Sequence, residues 1–458
     1  MLLVTMTAVA EERFPPPEFT TSGYKLPATH APAPLADWRT LLDMSVLFGA
    51  LSLSAWLVLK RRSRNGVYGL MIFSIAYFGF WREGCVCPIG AIQNVSQGIF
   101  DPSFVVPIGV LTFFLLPLIF ALIFGRSYCA AVCPHGSLQD AVLVKPVEVP
   151  SWLEHALGIV PYLYLGLAVI LAAMGSAYVI CEYDPFIALF RRNGSAFMLL
   201  LGGAFILLGL FVGRPYCRFL CPYGALLRLC GHLSRWRVKI YPDRCIDCHL
   251  CETSCPYGAI RPTTPAAPEA ARLEGKSRLI GTLVLVPVLM LVCSQLGKQL
   301  GGPLSRMHRD VRLADVLVKE DVENTRDTTD DTKAFHQHGQ SAEELYAEAG
   351  VIYARFRRAG GWFGAWVGLV IGVKLVSLSV RRRRTEHEAD RAACVGCARC
   401  FEYCPGAEWD GGTGGRGDGG NSAEAGGGRQ DAGAATPAAA VQSAIRNPQS
   451  AIDEGVPR

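Results

Sequence analysis

Two runs of cysteine carry the strongest chemistry in the chain. Cys245, Cys248, Cys251 and Cys255 lie in CIDCHLCETSCP, and Cys394, Cys397, Cys400 and Cys404 lie in CVGCARCFEYCP. Both have the spacing C-x2-C-x2-C-x3-C-P, in which three close thiolates wrap one corner of a [4Fe–4S] cubane. Pro256 and Pro405 stop the backbone from continuing as helix past the fourth ligand. When two clusters share a fold, the fourth cysteine of each run ligates the other cluster. The expected sets are Cys245, Cys248 and Cys251 with Cys404, and Cys394, Cys397 and Cys400 with Cys255. A zinc knuckle is the weaker reading, because zinc sites more often use two cysteine pairs across a longer loop.

A second pattern is an internal repeat. GRSYCAAVCPHGSLQD (125–140) matches GRPYCRFLCPYGALLR (213–228), and CVCPIGAIQN (85–94) is a shorter copy that keeps Cys87, Pro88 and Gly90. The repeats bring two CxxxCP pairs, Cys129 with Cys133 and Cys217 with Cys221. Four thiolates from two repeats can enclose a third [4Fe–4S] cluster. The alternatives are two redox-active dithiols, or small cysteines packed at helix ends. Cys85, Cys87, Cys181 and Cys293 fall near the outer ends of apolar runs, where four thiolates can hold a further metal or cluster. A disulfide or unrelated buried thiols compete with that outer site. Cys230 has no assignment.

The histidines say less. His135 lies in a repeat whose sister copy has Tyr223, so it is not an obligatory ligand. His249 falls between ligands and reads as a packing or tuning residue; His336 and His338 read as a solvated pair. Asp184 can handle protons at the membrane edge or cap the short helix after it.

These residues need a scaffold, and composition says which. Of 458 residues, 51% are hydrophobic and 18% charged, with mean hydropathy +0.28; soluble domains carry about 25% charged residues. The formal charge of +5 is clustered at the ends of apolar runs, which reads as membrane orientation and excludes nucleic acid as partner. There is no GxGxxG loop, no Walker A sequence and no CxxCH haem motif.

Seven apolar runs read as spans: 40–59, 66–81, 104–125, 156–180, 196–213, 278–295 and 361–380. Basic clusters after the first (Lys60 to Arg64), fifth (Arg214 to Lys239) and seventh (Arg381 to Arg384) place those loops in the cytoplasm and the N-terminus outside. The two ferredoxin-type runs are about 140 residues apart with two spans between them. An even number of crossings returns the chain to the same face, which agrees with the charges. The expected fold is therefore an all-α polytopic membrane protein of about seven transmembrane helices, with a split bacterial ferredoxin-like 2[4Fe–4S] module. Its divisions are an extended periplasmic tail (1–39), a membrane domain with the CxxxCP repeats (40–238) and a first ferredoxin segment (239–277). Two further spans (278–380) follow with an outer loop (296–360), then a second ferredoxin segment (381–405) and a disordered tail (406–458). Within the outer loop, Ser341 to Arg358 reads as a charged helix for a soluble cap.

GRxYCxxxCPxG repeats at span ends, followed by CxxCxxCxxxCP runs, resemble the NosR/NapH-type membrane polyferredoxins. The resemblance covers about 65–262 closely and 278–405 more loosely. It implies clusters on the cytoplasmic face of the bacterial inner membrane, and electron exchange with the quinone pool or a periplasmic reductase or flavoprotein partner. It also implies roles in reductase activation. Carried over by motif, the eight ferredoxin-type cysteines and the four CxxxCP cysteines are the cofactor ligands, while Cys85 inherits no role. The NosR branch carries a flavin domain ahead of its spans, so flavin chemistry is expected from a separate polypeptide. The expected activity is electron transfer, as a component of a quinol dehydrogenase system; the alternative is an accessory protein in maturation or redox regulation of a periplasmic metalloenzyme.

Overall fold

The computed structural model describes residues 37–84, 87–175, 178–240, 245–264, 269–306, 308–326, 328–338, 341–380 and 384–405. Nearly all of the expected N-terminal tail, the whole of 406–458 and Cys85 lie outside these residues.

The membrane domain is built from short and long helices in alternation. Helix α1 (Asp37–Trp56) runs into a π-helical turn, Leu57–Arg61, and ends at Arg62 in a left-handed conformation, φ 51°. Ser63 caps α2 (Arg64–Ser74) by accepting from the Gly66 N–H at 3.3 Å, and a π-helical turn, Ile75–Trp81, ends it. Three of the next helices begin in the same way. Cys87 is the N-cap of α3 (Pro88–Phe100). After α4 (Ile108–Phe124) and the π-helical turn Tyr128–Val132, Cys133 is the N-cap of α5 (Pro134–Ala141). Helices α6 (Ser151–Leu157), α7 (Val160–Ala173), α8 (Val179–Glu182), α9 (Pro185–Arg191), α10 (Ala196–Gly209) and α11 (Pro215–Phe219) follow, and Cys221 is the N-cap of α12 (Pro222–His232). Proline suits the first helical position because its φ is preset and its missing N–H is not needed there. The Cys-Pro pair thus starts a helix in all three copies of the repeat, and in α12 the Gly224 N–H donates to Cys221 Sγ at 3.3 Å.

Seven spans were expected; among the described residues, four helices are long and apolar enough to cross a membrane. They are Trp38–Arg61, Ser151–Ala173, Gly275–Ser305 and Ala342–Ser379. A fifth counts only if α9 and α10, bent by 104° at their junction, make one broken span. The expected spans 66–81 and 104–125 correspond to α2 with its π-helical turn and to the 17-residue α4. The 14 residues of α10 reach only about 21 Å against a hydrocarbon core of about 30 Å. Apolar composition alone does not distinguish a full span from a shorter helix packed inside the protein.

After α13 (Leu250–Thr253) and β1 (Ile260–Arg261), the chain forms α14 (Glu269–Ser305), α15 (Arg309–Glu323), α16 (Asp330–His338) and α17 (Ala342–Ser379). The expected charged helix from Ser341 is the start of α17, continuous with the span, with Ser341 capping it through the Glu344 N–H. At 37 and 38 residues, α14 and α17 are each roughly 56 Å long, far more than a bilayer needs. They pack backbone to backbone. Gly360, Gly364, Gly368 and Gly372 recur every fourth residue on α17, and a Cβ on Gly368 would stand 2.6 Å from the Leu289 carbonyl. Close helix pairs in lipid use such small residues. At one end α15, α16 and the start of α17 enclose their own core around Val311, Leu317, Phe335 and Ile352, with Met174 packed against it. Near the other end Trp366 donates to the Tyr162 carbonyl at 2.8 Å, and Lys374 meets His155 at 3.4 Å.

Strand β2 (Glu388–Ala389) pairs antiparallel with β1, Ile260 opposite Ala389 and Arg261 opposite Glu388, and α18 (Arg399–Glu402) follows. This small sheet joins the two ferredoxin-type runs despite the helices between them.

Gly364→Val is expected to force α14 and α17 apart, because the new side chain meets the Cys293 carbonyl. Overpacking of this kind costs about 1–3 kcal/mol or more. Thermal unfolding in detergent checks it, with Gly350→Ala as control, since Gly350 has open space around it. Equal midpoints for the two variants would contradict the tight packing.

Candidate iron–sulfur centres

The described cysteines form groups in series. At one end, burial raises the Cys251 thiol, and the neighbouring Cys248, Cys245 and Cys404 raise it further. Next to it, burial pushes the Cys394 thiol up to about 12, with Cys397 and Cys255 adding to the effect. Cys400 is raised first by burial and then by Cys397, Cys394 and Cys255. Each run therefore has the other run's fourth cysteine near it. Ala259 N–H donates to Cys255 Sγ at 3.4 Å. Crowded, buried thiols without a cation are unfavourable as thiolates, and an iron cluster supplies that cation.

Deeper in the protein, the two CxxxCP pairs meet. Cys129, Cys133 and Cys221 are buried, and Cys221 lies in the electrostatic field of Cys217, Cys133 and Cys129. Their sulfurs have donors. Gln139 Nε2 reaches Cys217 Sγ at 3.5 Å, Arg126 Nη2 reaches Cys129 Sγ at 3.6 Å, and Gly224 N–H reaches Cys221 Sγ at 3.3 Å. A Cβ on Gly136 of the first repeat would stand 3.6 Å from Cys217 Sγ of the second, and one on Gly224 3.6 Å from Cys221 Sγ. The four thiols, the N–H donors and the cationic surroundings fit an anionic iron–sulfur cluster.

Cys87 and Cys181 line a cavity of about 250 Å³ with Asn94 and Arg191. A Cβ on Gly90, the repeat glycine of the third copy, would stand 3.0 Å from Cys181 Sγ. Cys293 does not line this cavity; it lies on α14 with its carbonyl against Gly364. The outer set of four is therefore not brought together among the described residues. Nor are Cys87 and Cys181 far from the CxxxCP pairs, as two opposite membrane faces would require. His135 Nε2, two residues after Cys133, lies 3.3 Å from Asp184 Oδ2, three residues after Cys181. The short helices α8 and α9 place Asp184, three residues after Cys181, against the first CxxxCP repeat, which apolar patterning does not show. Asp184 also caps α9 through the Phe186 N–H at 2.9 Å, as one reading of it expected. His135 itself is fully buried. His336 is exposed on α16, and the side chain of His338 lies outside the described residues. Cys230 sits on α12, half-buried.

The residue that sequence reading missed is Asp140. Its carboxylate meets Arg64 at 2.6 Å, Arg399 at 3.4 Å and Arg214 at 3.7 Å, and accepts from Tyr257 Oη at 2.5 Å. These partners come from α2, the second ferredoxin-type run, the second CxxxCP repeat and the segment after the first run. Burial opposes its charge, yet the guanidinium groups of Arg214, Arg64 and Arg399 hold Asp140 well below the usual carboxylate range. The signal was present in the repeat: position 140 aligns with 228, and an acid stands there where the sister copy has arginine.

A family model described as "4Fe-4S binding domain" matches residues 106–159 and 195–241, and a second of the same description matches 238–261. The first covers both CxxxCP pairs, the second the Cys245–Cys255 run. The uncharacterized protein MJ0750 of Methanocaldococcus jannaschii is 30% identical over 193 residues, 39% of this chain and 76% of that protein. Protein NirI of Paracoccus denitrificans is 33% identical over 240 residues, 47% of this chain. The regulatory protein NosR of Stutzerimonas stutzeri is 24% identical over 212 residues, 43% of this chain. The chain spans only about a third of these last two relatives, 34% of NirI and 29% of NosR. No solved structure matches.

Asp140→Asn leaves one buried and two half-buried guanidinium groups facing one another. Breaking such a network by removing one partner costs about 3–5 kcal/mol, so iron retained per chain should fall sharply; unchanged iron would show that Asp140 is dispensable. The pH dependence follows from the lowered carboxylate. Its stabilisation is fully present above the unfolded value of about 3.9 and is lost as pH falls through the lower folded value. Wild type should therefore release iron below about pH 4, more steeply than Asp140→Asn.

Proposed function

The chain belongs to the family of the Methanocaldococcus protein and matches the 4Fe-4S binding domain models, and on that premise we propose that it is a membrane-bound electron-transfer protein linking the quinone pool to a periplasmic reductase system of nitrous oxide or nitrate reductase type. The observation that carries the reading is the serial order of thiols: the two ferredoxin-type sets, then the CxxxCP pairs, then Cys87 and Cys181. Clusters held by the first three sets, with a further centre at Cys87 and Cys181, would each take up and release one electron. The surrounding residues bury most of the CxxxCP set, donate N–H groups to its sulfurs and supply positive charge, which sets how readily it accepts an electron.

Quinone fits a cavity of about 690 Å³ between α7, α12, α17 and the segment before α18. Its apolar wall includes Trp366 and Val370, its polar end Glu154, His155 and Lys374, and Cys129 and Cys217 line it. Trp366 also lines a second, apolar cavity of about 390 Å³, suited to an isoprenoid tail. Oxidising a quinol releases two electrons and two protons; the electrons would leave by way of the CxxxCP set, and His155 and Glu154 are placed to accept the protons. The basic loops favour an inner-membrane orientation with the ferredoxin-type runs, as one split module, in the cytoplasm. The name of the NosR relative favours a second reading, redox regulation or maturation of a periplasmic metalloenzyme. A strain lacking the protein separates them: a normally metallated but idle reductase supports electron supply, and a metal-deficient one supports maturation.

Iron and acid-labile sulfide on anaerobically purified protein test the serial path. About 12–16 irons per chain are expected, with Cys133→Ser losing about four. About eight in wild type would confine clusters to the ferredoxin-type runs and overturn the path. His155→Ala is expected to slow reduction by a quinol analogue about 100-fold while dithionite still reduces every cluster; an unchanged rate would move the quinone elsewhere.

A further inference from the structure

The first ferredoxin-type run differs from the second in a way that ligating a cluster does not explain. In both runs, two residues between the ligands adopt the left-handed conformation. In the second run these are Gly396 (φ 70°) and Ala398 (φ 62°); in the first they are Asp247 (φ 54°) and His249 (φ 57°). Glycine enters that region without strain, whereas residues with a Cβ do so at a cost. The first run thus holds two metal-ligating side chains at positions its sister fills with small residues.

Those side chains converge on a third residue, 140 positions away. His387 Nε2 meets Asp247 Oδ1 at 2.5 Å, closer than an ordinary hydrogen bond, and His249 Nε2 lies 3.9 Å from the same oxygen. The two imidazoles stand 5.0 Å apart, centroid to centroid, edge to face. Ligand atoms of Asp247, His249 and His387 all fall within 4.8 Å of one another, and no other such group of three occurs among the described residues. Tetrahedral zinc with bonds of about 2.0–2.1 Å sets its ligands about 3.3 Å apart, a spacing that the observed contacts bracket. His249 Nδ1 is engaged by Glu252 Oε2 at 3.1 Å. A carboxylate behind a histidine in this way fixes the tautomer that leaves Nε2 for a metal. His387 is buried, and its Nδ1 has no hydrogen-bond partner.

We propose that Asp247, His249 and His387 bind a divalent ion of the zinc class, with water in the fourth position, and that this ion clips the two ferredoxin-type segments together. Asp247 and His249 belong to the first segment, and His387 immediately precedes β2 of the second. Between the segments run α14 to α17, the first and last of them 37 and 38 residues long, so chain connectivity by itself does little to hold them in register. A metal bridge beside the two-stranded sheet restrains them directly. The ion is redox-inert and takes no part in electron transfer, so the clip stands apart from the reading of the cysteine sets.

The test is zinc bound per chain on the anaerobically purified full-length protein, dialysed against buffered zinc, with iron and sulfide measured on the same sample. One zinc per chain beside an undiminished iron content is expected. His387→Ala should abolish stoichiometric zinc binding, and Glu252→Gln should weaken it about 10- to 100-fold. Asp247→Gly copies the sister run, so it should fold with its clusters intact yet lose the zinc. Hydrogen exchange in 384–390 should slow on adding zinc to wild type and stay unchanged in Asp247→Gly. No zinc in wild type, or zinc retained by both His387→Ala and Asp247→Gly, would overturn the proposal. Zinc that enters only as iron leaves would do so too, since the cysteines would then be its ligands.

Discussion

One buried carboxylate and the guanidinium groups around it hold the parts of this protein in register. Asp140 is drawn to Arg64, Arg214 and Arg399 and also accepts from Tyr257. A buried charge is unfavourable unless it is paired and hydrogen-bonded, so none of these groups can move away alone. The partners belong to a membrane-domain helix, to the second CxxxCP repeat and to both ferredoxin-type segments. Arg214 also donates to the Cys129 and Ala130 carbonyls, across the two repeats. Electron transfer through cysteine-bound centres depends on their separations, and this network is what constrains those separations.

The repeat solves a second problem, that of presenting sulfur in an apolar interior. In each copy the cysteine before proline is a helix N-cap, so the positive end of a helix faces the thiol. The glycine two residues after the proline leaves room for a sulfur, of its own copy or of another segment. Gly90 against Cys181, Gly136 against Cys217 and Gly224 against Cys221 are the same device in three settings. A single local design thus produces both the central set and the Cys87–Cys181 cavity.

The long hairpin of α14 and α17 works differently. It has few charges along its contact and relies on glycine spacing for close approach. Its length carries it well past a bilayer on its way to the small helical cap around Val311 and Phe335. At its other end it lines the cavity beside Cys129 and Cys217 and delivers the second ferredoxin-type segment to β1. The hairpin is both a wall of that cavity and the connection that makes the split segments possible.

The cysteine spacing by itself determined the chemistry, because ligand spacing within a run is a local property and a cubane demands it. The helical character and the apolar runs were legible for the same reason. The number of full spans was not: α4 and α10 are as apolar as true spans, and only their length and bending in the fold separate them. The fate of Cys293 depended on which helix packs against which, and α14 packs on the glycine face of α17 rather than beside Cys181. Asp140 was silent as a lone acid in an apolar repeat; its meaning comes from four partners spread over more than 300 residues. The approach of His387 to Asp247 and His249 was invisible for the same physical reason. Local spacing encodes ligation, whereas the meeting of distant charges is decided by tertiary packing.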